Sequence, residues 1–187
     1  MGASNLSLQI RTEDRAGVIA FLEVAAASSP PVGFRFSVAE PINGWLAVYP
    51  AFVMEVERLA KALSRHFRCL VLLLLTADED DFYCQSYREG KALSFFKIGL
   101  GSRRTGKARE RLAAKLEVLS EWCAEEPRCQ LLDRLSDPRD VVLSSDLLRQ
   151  FCDCAGIANA ATSFEYLDRD DRGDLEVETA LLRISEH

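Results

Sequence analysis

The sequence predicts one α+β domain, a mixed, mainly antiparallel sheet with helices packed on it. Three observations carry this. Cys69 to Leu75 is the longest apolar run in the chain; bounded by turn signals, such a run reads as a strand buried on both faces. Phe82 to Tyr87 and Ala92 to Phe96 are β-prone and joined by Arg88-Glu89-Gly90-Lys91, a hairpin pattern. Phe52, Val56, Leu59, Leu63 and Phe67 recur at helical spacing, which marks an amphipathic helix able to cover the sheet.

The remaining elements follow in order. Leu6, Leu8 and Ile10 alternate with Ser7, Gln9 and Arg11, a first strand. Asp14 is placed to cap a helix to about Ala27, with Val18, Leu22 and Ala25 inward. Phe34, Phe36 and Val38 mark a second strand, Asn43-Gly44 a tight turn and Trp45 to Tyr49 a third strand. Pro50 fits the first turn of the helix over 51–67. Beyond the hairpin, Gly99 to Gly106 reads as a loop and Lys107 to Ala124 as a helix stopped by Glu125-Glu126-Pro127. Residues 128–143 read as irregular. Ser144 or Ser145 is placed to cap a short helix that Gly156 stops. Two short strands are expected over Ser163 to Glu178. The domain is residues 1–187, with a helical subregion over 107–156.

Composition narrows the function. The chain has 187 residues, 48% of them hydrophobic, and a formal charge of −6. The acidic balance disfavours nucleic acid and leaves cationic partners open. The apolar run is far shorter than the ~20 residues a membrane helix needs, so no membrane partner is predicted. The N-terminal sequence shows no secretory pattern and the six cysteines form no C-x-x-C pair. A cytoplasmic protein with six free thiols and no disulfide is the expectation.

Two clusters carry the candidate chemistry. Asp78, Glu79, Asp80 and Asp81 stand where the apolar strand leaves the core. Such a cluster can hold a cation, but no nucleophile is near in sequence, and charge at a strand end also keeps an apolar strand dispersed. It is the predicted partner-binding site. Gly101-Ser102-Arg103-Arg104-Thr105-Gly106-Lys107 matches G-x-x-x-x-G-K, a phosphate-cradling loop. Gly101, Gly106, Lys107, Arg103 and Arg104 are therefore the alternative, phosphate-binding set. Ala108 stands where a Ser or Thr hydroxyl should reach Mg²⁺, and the preceding strand belongs to a hairpin instead of a parallel sheet.

Other patterns are weaker. Asp168 to Leu175 resembles part of a calcium loop, but Arg172 occupies an oxygen-ligand position and Thr179 replaces the bidentate Glu; a tight turn is the preferred reading. His66 and His187 are the only histidines, too few to favour zinc or histidine-based catalysis. No metal and no cofactor is predicted.

Gly44-Trp45-Leu46-Ala47-Val48-Tyr49-Pro50, the helix ending Ala62-Leu63-Ser64, the apolar strand, and Asp78 to Gly90 with Tyr83 and Tyr87 together resemble an uncharacterised bacterial family. Gly156-Ile157-Ala158-Asn159 followed by Ser163-Phe164-Glu165-Tyr166-Leu167 fits its C-terminal part. The resemblance implies a small cytosolic α+β domain and carries no catalytic residue across.

The expectation is a non-catalytic interaction or regulatory protein, of which immunity proteins are one type, whose acidic surface meets a basic protein partner. The alternative is a nucleotide- or phosphate-binding protein using the Gly101 loop. The sequence sets no oligomeric state.

Overall fold

The computed structural model describes residues 5–27, 35–51, 55–77, 80–158, 160 and 182–184. Its strands are β1 (Asn5–Ile10), β2 (Phe36–Val38), β3 (Leu46–Pro50), β4 (Leu70–Ala77), β5 (Asp81–Arg88), β6 (Lys91–Gly99) and β7 (Leu182–Ile184). They form one sheet in the order β6-β5-β4-β1-β3-β2-β7. Every pairing is antiparallel. The helices are α1 (Arg15–Ala27), α2 (Val56–His66), α3 (Lys107–Leu116), α4 (Glu125–Ser136) and α5 (Ser144–Ala155). None is long and apolar enough to cross a membrane among the described residues.

The predicted α+β class holds, as helices cover both faces of the sheet. On one face, Leu6, Leu8 and Ile10 of β1 and Val71 of β4 pack with Val18 and Leu22 of α1 and Ala60 and Leu63 of α2. On the other, Leu70, Leu72, Leu74, Phe82, Phe96 and Ile98 pack with residues of α3, α4 and α5. Leu70, Val71 and Leu72 are buried on alternate faces, as an inner strand requires, whereas Leu73 and Leu75 are only half-buried. The two-sided burial expected of the apolar run therefore holds only for its first half. Ser7 and Gln9 lie under the second helical layer and are fully buried; Gln9 Nε2 donates to Ser7 Oγ at 3.1 Å.

Local chemistry explains most boundaries. Asp14 Oδ1 accepts from the Gly17 amide at 2.9 Å, which caps α1 as expected. A Cβ on Gly17 would sit 2.2 Å from that carboxylate, so glycine leaves room for the cap. Glu89 and Gly90 both have positive φ (51° and 78°), the two-residue turn the hairpin demands. Ser64 Oγ accepts from the Gly90 amide at 2.9 Å, tying α2 to that turn.

Four expectations need correction. Pro50 does not open a helix; it ends β3 opposite Phe36. The β1 ladder reaches β3 only through Val48, so no pairing partner misses the proline's absent N–H. Glu125-Glu126-Pro127 starts α4 instead of stopping α3. Proline is tolerated in a first turn and acidic residues there complement the helix dipole, while α3 gives way to a 3-10 turn at Glu117–Leu119. Residues 128–143 are accordingly mostly ordered: α4 continues to Ser136 and a 3-10 turn covers Pro138–Asp140. Ser144 does not cap α5. The residue before the helix is Leu143, and the Ser144 hydroxyl is buried without a partner. Gly156 ends α5 at φ 66°, as predicted.

The expectation of six free thiols is also overturned. Cys123 and Cys154 form a disulfide, with Cα atoms 5.7 Å apart. They are 31 residues apart in sequence, a separation that local spacing rules cannot read. The chain beyond α3 is brought against the end of α5 by packing of the second core. Cys69, Cys84, Cys129 and Cys152 are free.

Candidate functional site

Of the predicted acidic cluster, Asp78 and Glu79 lie outside the described residues. Asp80 is exposed in the β4–β5 turn, where its amide donates to Ala77 at 3.2 Å and its carbonyl accepts from Leu100 at 2.9 Å. Asp81 is half-buried at the start of β5. Lys97 Nζ stands 2.8 Å from its carboxylate, and the Tyr83 hydroxyl donates to it at 3.3 Å. Lys97 also lies 5.0 Å from the Tyr83 ring centroid. Hydrogen bonds to Asp81 first and Tyr83 second hold the Lys97 pKa above its ordinary value. The fold thus divides the cluster: Asp81 is matched within the sheet, and Asp80 faces water.

The Gly101 loop follows β6, an edge strand of an antiparallel sheet, and leads into α3. Gly101 and Gly106 have positive φ. A phosphate cradle needs free backbone amides converging on the anion, yet three amides of this segment already have acceptors. Ser102 N donates to Gly99 O, Arg104 N to Ser136 O and Ala108 N to Thr105 O. The Arg103 guanidinium is 3.4 Å from Asp137. Arg104 donates to Ser102 Oγ at 3.0 Å and to the Lys97 carbonyl at 2.9 Å, and its burial lowers its pKa. Lys107 is exposed. The five residues lie on one loop, but two of the three cationic side chains fold back onto the protein.

That folding back defines the edge of β6. In an antiparallel ladder, directly opposed residues alternate between hydrogen-bonded and non-bonded pairs. The Leu100–Asp80 bond sets the phase, so Ile98 and Phe96 turn their backbone groups toward β5, and Gly99, Lys97 and Phe95 turn theirs outward. Two of the outward carbonyls are occupied: Ser102 Oγ donates to Gly99 O at 2.6 Å, and Arg104 donates to Lys97 O. At the other end, Ser94 pairs Ser86 while Ala92 pairs Tyr87, which leaves Leu93 as the extra residue of a bulge. Both devices blunt an edge against uncontrolled pairing. Between them is a short window centred on Phe95.

The side chains at this window are apolar and solvent-facing. Phe95 is 48% exposed and Leu93 50%. Phe95 stands across from Gln85, which stands across from half-buried Leu73. The next row is Lys97, Tyr83 and half-buried Leu75. Exposed aromatic surface beside unpaired backbone is a geometry that accepts an added strand. Composition could have flagged it, since Leu93 and Phe95 sit on the predicted hairpin's last strand, but the edge position depends on strand order.

Just past the end of the central strand β1, Arg11 lies over two indole rings, 5.3 Å from the Trp45 centroid and 5.7 Å from Trp122. The Trp45 indole N–H donates to the Ala155 carbonyl at 3.0 Å. Arg88 pairs with Glu121 through two hydrogen bonds. These contacts pin the second helical layer to the sheet, and the disulfide ties that layer to itself. Among the described residues, no group of three or more His, Cys, Asp or Glu stands together as metal ligands. No family model matches the chain, and no curated protein or solved structure matches it.

Proposed function

We propose that this chain is a non-catalytic interaction or regulatory protein that receives an extended segment of a protein partner on the open window of β6. The observation that carries this reading is Phe95, half-exposed on an edge strand whose neighbouring carbonyls are already occupied. A partner strand would gain backbone hydrogen bonds at Phe95 and apolar contact with its ring, together with Leu93, Leu73 and Leu75. Asp80, exposed beside the C-terminal end of β6, supplies the acidic contact for a cationic residue of that partner. The net charge of −6 favours encounter with a basic protein, the mode immunity-type proteins use. Four of the six thiols are free, as in a reducing cytoplasm, whereas the Cys123–Cys154 disulfide counts against that setting.

The test compares wild type with Phe95→Lys and Asp80→Asn for binding to a protein recovered from the source cell. Phe95→Lys is expected to weaken affinity by about thirtyfold, the effect of losing an aromatic anchor worth on the order of 2 kcal/mol. Asp80→Asn should slow association and flatten its salt dependence while leaving dissociation nearly unchanged. A partner that binds Phe95→Lys with wild-type affinity would remove the β6 window from the recognition surface.

A further inference from the structure

A second feature, independent of the β6 edge, lies in the helical layer. An open cleft of about 480 Å³ separates α4 from α5, a volume within the range of small-molecule sites. Helical spacing creates it: Gln130 and Arg134 are four residues apart on α4, and Gln150 and Cys154 four apart on α5, so each pair lies on one helix face. Leu131 and Pro127 add apolar surface. Cys154 is bonded to Cys123, which anchors that wall to the chain beyond α3.

Three polar groups on these walls lack partners. Arg134 lines the cleft from α4 and Asp153 from α5, yet no ion pair joins either to any residue among those described. Opposite charges that share a cleft without closing on each other leave a gap that a third group can bridge. Gln150 lines the same cleft, and its Oε1 atom is buried within the wall and accepts no hydrogen bond. A buried carbonyl oxygen without a donor is costly, and a ligand N–H satisfies it.

We infer that this cleft binds a small zwitterion of the α-amino-acid class, up to a dipeptide in size. Arg134 receives the carboxylate, for which its planar fork is suited. Asp153 receives the ammonium, joined by Gln150 Oε1 once that side chain turns into the cleft, and Leu131 with Pro127 meets an apolar side chain. A purely anionic or purely cationic ligand would leave one of the two charges unmatched.

The experiment is calorimetric titration of the full chain with L-leucine and with the dipeptide glycyl-L-leucine. N-acetyl-L-leucinamide, which has the same side chain and neither charge, is the control. Saturable binding of a zwitterion is expected, with no binding of the capped control. Arg134→Gln and Asp153→Asn should each weaken binding by about tenfold or more. The double variant Arg134→Asp with Asp153→Arg should recover part of it, because the charges exchange walls and the ligand reverses. Both side chains are exposed, so the variants should melt as wild type, and melting curves check this. Absence of saturable binding at tens of millimolar, equal binding of the capped control, or unchanged affinity in both single variants would overturn the assignment. The β6 variant Phe95→Lys should bind the zwitterion normally, which separates this site from the docking edge.

Discussion

The Arg104 guanidinium donates to the main-chain carbonyl of Lys97 at 2.9 Å. The loop that resembles a phosphate cradle thereby serves the sheet, closing one end of its open edge. Replacing Arg104 with Ala should free that carbonyl and lengthen the window. Two results are expected: a loss of about 1 kcal/mol of stability, the ordinary worth of a side-chain hydrogen bond, and stronger concentration-dependent self-association. Denaturant titration and sedimentation measure the two, and unchanged self-association would show that Arg104 does not guard the edge.

Leu72 and Leu73 are neighbours on β4 with opposite fates, since Leu72 is fully buried and Leu73 is half-buried. Leu72→Ala should cost about 2–5 kcal/mol, the range for a buried leucine, and Leu73→Ala less than half as much. Equal losses in urea unfolding would mean that the strand is inverted or that Leu73 is covered.

The disulfide closes a loop over 31 residues. Loop-closure entropy for that length corresponds to roughly 3–4 kcal/mol. Paired unfolding curves with and without reductant should differ by an amount of this order. Coincident curves, with the reduced thiols verified by titration, would contradict a structural role for the bond.

Thiol chemistry separates the four free cysteines. Cys129 is exposed, whereas Cys84 and Cys152 are buried, and burial raises the pKa of both buried thiols. Burial also pushes the Cys69 thiol up to about 11, partly offset by the Arg11 amide and the Arg88 charge. Only the thiolate reacts, so native Cys69 should alkylate slowly at neutral pH. Its rate should climb about tenfold per pH unit toward that value. Mass-spectrometric mapping of alkylation against pH provides the check.

Elements whose cause is local were legible in the sequence. The hairpin at Glu89-Gly90, the Asp14 cap and the Gly156 stop each depend on a few adjacent residues and stand as expected. Pro127 misled because proline suits both the residue after a helix and the first turn of the next, and only packing of Leu131, Leu132 and Leu135 decides between them. The disulfide and the β6 edge depend on which distant segments meet, which no spacing encodes. The acidic junction was visible as composition. Its division into matched Asp81 and exposed Asp80 was not, because Lys97 reaches Asp81 only through the strand register.

The most direct measurement is residue-resolved amide hydrogen exchange at Phe95, free and bound to the recovered partner. The Phe95 amide points away from β5, so it should exchange quickly in the free protein, whereas the Phe96 amide, inside the ladder, should be protected. On binding, Phe95 should become protected in wild type and stay unprotected in Phe95→Lys mixed with the same partner. Fast exchange at Phe95 in the saturated wild-type complex, or protection already present in the free chain, would contradict the account.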